Sequence, residues 1–117
     1  MEDNLIELLS SFEYPVIRQG SMGPEEKYPA TFFTFWNASE EGHSFYDNDV
    51  ANVDWTFQVN VYSTEPELVY SLLDEARRLL KSAGYTITQR GYDVPSDEIT
   101  HIGRGMVVMF LQNEVEI

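Results

Sequence analysis

Hydrophobic and polar positions along the chain predict a short series of helices and strands. Leu5, Leu8, Leu9 and Phe12 recur at the spacing of one helical face, with Glu2, Asp3 and Glu7 on or near the polar side. Acids this early suit the positive end of the helix dipole. Tyr14-Pro15 stops the helix, because a residue before proline avoids the α region. Val16 to Gln19 reads as a brief strand, and Gly20-Ser21-Met22-Gly23-Pro24 as turn material. Ala30 to Asn37 is rich in strand formers, with Phe33 and Phe35 on one side and Phe32, Thr34 and Trp36 on the other. From Val53 to Ser63 the alternation is clean. Val53, Trp55, Phe57, Val59 and Val61 interleave with Asp54, Thr56, Gln58, Asn60 and Tyr62, which predicts a strand with one wet face.

A second helix is expected to open at Thr64-Glu65-Pro66-Glu67, with Thr64 as cap, Glu67 completing a capping box and Pro66 in the first turn. Val69, Leu72, Leu73, Ala76, Leu79 or Leu80, and Ala83 make its apolar stripe. Arg77, Arg78 and Lys81 lie toward the C-terminal end, and Gly84 terminates it. Tyr85 to Arg90 reads as a strand and Gly91 to Glu98 as a loop, with Pro95 placed to start a turn. Ile102 to Gln112 is the last strand. Its centre, Met106-Val107-Val108-Met109-Phe110-Leu111, is apolar on both faces, as in a sheet interior or an edge covered by another subunit. The order α-β-β-β-α-β-β predicts an α+β fold, two helices packed on a small, mostly antiparallel sheet. The chain of 117 residues suits one domain, residues 1–117, since halves would be too small to stabilise themselves.

Charge narrows the functional classes. Twenty acids against seven Lys and Arg give a net charge of −13. No Lys or Arg lies between Lys27 and Arg77, whereas nine acids do. Phosphate backbones and anionic membranes both attract the opposite sign, so neither is an expected partner. Aromatic residues make up 14% of the chain, enough for a core with some left for a partner. With no cysteine, disulfides and thiolate chemistry are excluded. The acidic start Met1-Glu2-Asp3-Asn4 does not resemble a secretory signal, so a cytoplasmic protein is expected, unless it is built into a particle.

Candidate chemistry is sparse. His43 and His101 each lie near acids, but no paired-ligand spacing accompanies them. Asp47-Asn48-Asp49 resembles the start of a calcium loop, yet the glycine and the closing glutamate that such a loop needs are missing. Gly103-Arg104-Gly105 precedes no helix and is better read as a strand start or bulge than as a phosphate cradle. No catalytic, metal or cofactor site is expected. The segment from Ala38 to Asn52 is long for a hairpin connection and carries Phe45 and Tyr46 at its middle, with Glu40, Glu41, Asp47 and Asp49 around them. Phe45 and Tyr46, together with Met106, Val108 and Phe110 of the last strand, are the candidate protein-interface residues.

Several stretches together resemble the tail-completion, or tail-terminator, proteins of long-tailed bacteriophages. They are Tyr14-Pro15-Val16 with Gln19-Gly20, Tyr28 to Trp36, Ser44 to Asp49, Trp55 to Thr64, the helix from Pro66 to Ala83, Gly91 to Asp97, and His101 to Gly105. None is a catalytic signature. The resemblance implies two helices on a small sheet and a ring of about six copies that caps the tail tube. Its implied partners are other copies of the chain, the tail-tube protein and the head connector. It implies assembly in the host cytoplasm and then a place in the virion tail. Excess acid, with Glu40, Glu41, Asp47 and Asp49 as lumen candidates, would repel DNA as a passenger. A different class, an acidic DNA mimic that blocks a DNA-binding host protein, draws on the same charge. An enzyme or small-ligand domain would need ionisable residues that converge, and the sequence offers no such cluster.

Overall fold

The computed structural model describes residues 2–18, 29–43, 52–96 and 99–113. The element order is the expected α-β-β-β-α-β-β of an α+β fold. Helix α1 spans Glu2–Ser10, and strands β1 (Val16–Arg18), β2 (Thr31–His43) and β3 (Asn52–Ser63) follow. Helix α2 (Pro66–Ser82) then leads to β4 (Tyr92–Val94) and β5 (Ile102–Asn113). The sheet order is β1-β2-β3-β5-β4. Among the described residues, β1–β2 is the one parallel pair; the remaining pairs are antiparallel.

Both helices lie on one face of the sheet, and the core forms between the layers. Phe33 and Phe35 of β2, Phe57, Val59 and Val61 of β3, and Met106 and Val108 of β5 meet Leu72, Leu73, Ala76 and Leu80 of α2 and Leu5 and Leu9 of α1. Each large side chain fully buried here contributes about 1.5–3 kcal/mol. The apolar stripe predicted for α2 is buried from Val69 to Leu80, with Leu80 rather than Leu79 inside, whereas Ala83 is the exposed C-cap. Gly84 ends the helix in the left-handed region (φ 103°). The Tyr85 N–H reaches back to the Leu80 carbonyl at 2.9 Å, and the Gly84 N–H to that of Lys81 at 3.1 Å. Together these bonds make the Schellman closure.

Four local expectations are corrected. The N-cap of α2 is Glu65, not Thr64, and it makes no side-chain cap bond; its own N–H instead donates to Ser63 Oγ at 3.0 Å. The sixth element is Tyr92–Val94 rather than Tyr85 to Arg90, where only an isolated bridge joins Thr86 to Met109. Tyr85 and Ile87 alternate like strand residues because they bury their side chains, without joining a continuous ladder. The third correction concerns Ala38 to Asn52, which is not all loop. β2 continues to His43 and β3 begins at Asn52, and pairing with β3 carries the small and acidic residues of β2 into the sheet. A bulge between Asn37 and Ser39 absorbs one extra residue, Ala38. Fourth, the face of β3 expected to be wet is buried at Gln58 and Asn60.

Met106→Ala should remove about 2–5 kcal/mol by opening a core cavity, measured by urea denaturation. Tyr85, buried and donating its hydroxyl to Asn4 Oδ1 at 3.0 Å, has its pKa pushed up to about 12 by burial. Its folded pKa exceeds the unfolded value, so its contribution is complete below about pH 10 and is lost as pH rises toward 12. Chemical denaturation across pH 9–12 should show Tyr85→Phe losing less stability over that window than the parent chain.

Candidate functional site

The helix-free face of the sheet holds the most unusual chemistry in the molecule. A wet face would expose Gln58 and Asn60, yet these are 8% and 1% exposed. Gly105 faces Asn60 across the β3–β5 pair, and Gly103 faces Tyr62. With no Cβ on either glycine, the neighbouring side chains lie down over β5. A Cβ on Gly105 would stand 2.1 Å from Asn60 Oδ1 and 2.6 Å from Gln58 Nε2, and one on Gly103 would stand 2.6 Å from the Tyr62 ring.

The amides form a connected set. Gln58 Nε2 donates to Asn60 Oδ1 at 2.9 Å, Asn60 Nδ2 donates to Thr34 Oγ1 at 3.4 Å, and the Tyr92 hydroxyl donates to Gln58 Oε1. Buried amides are tolerated because their bonds replace those lost to water. Beside them Phe32 stacks on Tyr62 with ring centroids 5.3 Å apart, and His101 meets the Phe32 edge at 5.9 Å. The ring nitrogens of His101 pair with the Pro29 carbonyl at 2.8 Å and Thr100 Oγ1 at 3.0 Å. Its surroundings are those of a packing histidine.

Trp36, Tyr92, Met109 and Leu111 are exposed around this polar centre, Leu111 to 55%. All four share the helix-free face by register with Gln58, Gly105, Thr56 and Asp54 respectively. They lack cover because both helices pack on the opposite face. β2 has 13 residues, β3 and β5 have 12 each, and each such strand extends about 40 Å. α2 has 17 residues and extends about 25 Å. The three strands thus outrun the helix layer as a ribbon. Accordingly the molecule measures 52 × 29 × 22 Å and its radius of gyration is 15.7 Å, against about 13 Å for a compact chain of this length.

The ribbon accounts for where the predicted interface residues lie. Met106 and Val108 are completely buried in this chain's own core, which corrects their assignment to a subunit interface. β5 is apolar on both sides because one side faces α2 and the other carries the exposed Met109 and Leu111. Phe110 is half-buried against Tyr85, ring centroids 4.9 Å apart. Glu40 and Glu41 fall in the far part of β2, at register positions opposite Trp55 and Asp54. Phe45, Tyr46, Asp47 and Asp49 lie outside the described residues. The amide set and the exposed Met109 and Leu111 were not anticipated. The one available signal was the pair of glycines two apart on a strand, which places both on a single face.

Several cations are already engaged with acids. Arg18 pairs with Glu2, and Arg104 bonds Asp93 at 3.1 Å while lying 4.6 Å from the Tyr70 ring centroid. Asp74 takes Arg77 at 2.8 Å and Arg78 at 3.0 Å. The Arg77 hydrogen bond holds the Asp74 carboxyl below its usual range against an opposing desolvation, with Arg78 and Arg90 adding attraction. Among the described residues, no group of three or more His, Cys, Asp or Glu is placed to hold a metal, and no helix is long and apolar enough to cross a membrane. No protein-family model matches the chain, and no curated protein is significantly similar to it.

Gly105→Ala should destabilise the fold by about 1–3 kcal/mol, because the added methyl displaces Asn60 and Gln58 from their bonds. Thermal and urea unfolding would measure the loss.

Proposed function

We propose that this chain is a structural subunit of a bacteriophage tail, one of a ring of copies that ends the tail tube and joins it to the head connector. The observation that carries the proposal is the helix-free face of the sheet, where Trp36, Tyr92, Met109 and Leu111 are exposed and available to a neighbour. Exposed aromatic, methionine and leucine side chains on an extended sheet are suited to protein contact. The segments that resemble tail-completion proteins support the same reading. Its role is recognition and closure rather than catalysis, and its partners are further copies of the chain, the tail-tube protein and the connector. It assembles in the host cytoplasm and remains in the virion.

The acid excess fits this reading. Glu40 and Glu41 sit far along β2, opposite Trp55 and Asp54, so the outer part of the ribbon carries acids on two strands. A ring that turns this part toward its channel offers like charge to passing DNA. Repulsion acts across about 8–10 Å at moderate salt, which keeps phosphates from adhering to the wall.

Light scattering across a concentration series, with and without purified tail tubes, tests the proposal. A ring of about six copies, free or on the tube end, is the expected outcome. A monomer or dimer that ignores tubes would overturn it in favour of the acidic DNA mimic.

A further inference from the structure

We infer that the basic flank of α2 is the contact for a second copy of this chain, and that it meets the acidic outer face of α1 on that neighbour. The inference rests on the ring reading above and names the two surfaces that join around the ring.

Between Glu75 and Asp93 the sequence has four basic residues, Arg77, Arg78, Lys81 and Arg90, and no acid. These are four of the seven Lys and Arg in a chain whose net charge is −13. The fold gathers them. Arg77, Arg78 and Lys81 belong to successive turns of α2, and Arg90 lies near enough to attract the Asp74 carboxylate beside them. That one carboxylate serves both Arg77, at 2.8 Å, and Arg78, at 3.0 Å. Among the described residues, Lys81 and Arg90 form no ion pair. Arg78, Lys81 and Arg90 are exposed, so uncompensated positive charge stands on the surface.

The opposite sign lies on α1. Asp3 and Glu7, one helical turn apart, and Glu13 just past the helix are exposed and form no ion pair among the described residues. The two surfaces lie on opposite sides of the helix layer. Tyr70 sits against Arg104 of β5 and Leu73 beside Gly91, so the flank of α2 that bears Tyr70, Asp74 and Arg78 looks toward β4. Arg18 pairs with Glu2 and ties α1 to β1. β4 and β1 are the two ends of the sheet.

Charge selects the occupant. Copies that each carry −13 repel over about 8–10 Å at moderate salt, and the basic flank is where that repulsion turns to attraction. A twofold axis through either surface would set like charges against each other. Basic flank against acidic face satisfies both copies. Because the two surfaces differ and lie on opposite sides, the contact repeats head to tail and generates a ring rather than a twofold dimer.

R78E/K81E and D3K/E7K reverse the two surfaces at exposed positions, and circular dichroism with thermal unfolding verifies that each variant folds. Light scattering follows assembly, on tail tubes where the free chain stays monomeric. Each variant alone should need at least about tenfold more protein to assemble than the parent chain. An equimolar mixture should assemble like the parent, because each surface of one variant then meets its opposite on the other, alternating around an even ring. D3K/E7K is less acidic than the parent, so better assembly by this variant would overturn the inference in favour of repulsion set by net charge alone. Loss in both variants without recovery in the mixture would overturn it as well. Parent-like rings of R78E/K81E that no longer bind tubes would assign the flank to the tail tube instead. Parent-like assembly with a lowered melting temperature would assign it to an acidic segment of the same chain. These outcomes leave the ring reading standing, whereas absence of any oligomer of the parent chain, with or without tubes, would overturn both.

Discussion

Burial of β3 on both faces by unlike means is the constraint on which the rest of the molecule depends. Toward the helices it presents Phe57, Val59 and Val61 to a hydrocarbon core. Toward the other side it presents Gln58 and Asn60, which stay dry only because Gly105 leaves room for them and Thr34 and Tyr92 complete their bonds. A second helix layer is therefore unnecessary. One strand has a neighbour of each kind, and the glycines of β5 determine which. This arrangement also fixes the place of β4, since Tyr92 must stand beside Gly105 for its hydroxyl to reach Gln58.

Much of the architecture was legible because the strongest periodicities coincide with the most buried elements. The alternation from Val53 to Ser63 and the stripe of α2 follow from the pleat and the helical turn, and both elements form where expected. What escaped notice depends on partners distant in the chain. Tyr85 and Ile87 carry a strand-like pattern, yet their backbone meets β5 only at Met109. Tyr92–Val94 is short and contains an aspartate, so nothing local marks it as a strand. The residues from Ala38 to His43 have weak strand propensity and are held by pairing with β3, a tertiary effect. Gln58 and Asn60 were read as wet because alternation reports which face a residue takes and not whether that face is covered. For the candidate site, legibility was poorer still. Met106 and Val108 were recognised as important apolar positions, but sequence cannot tell a neighbour within the chain from one outside it.

Stability is spread unevenly along the long axis. At one end the sheet is sandwiched with two helices, and Arg18 pairs with Glu2 to tie β1 to α1. Toward the far end the support thins to Trp55, Phe110 and Tyr85 on one side. A ribbon of this kind gains ordered neighbours at little conformational cost, because its strands are already extended and paired. Local openings would concentrate there, and the proposed ring would suppress them.

The bulge at Ala38 has a consequence for how such a chain can change over generations. Residues of β2 on either side of it are out of phase, so the facing of the outer hairpin is set independently of that of Phe33 and Phe35. A second slip or insertion farther out could reverse which residues look toward a neighbour while leaving the interior layer untouched. The bulge thus acts as a clutch between two segments of one strand. One segment is held by packing against the helices, and the other by its pairing with β3.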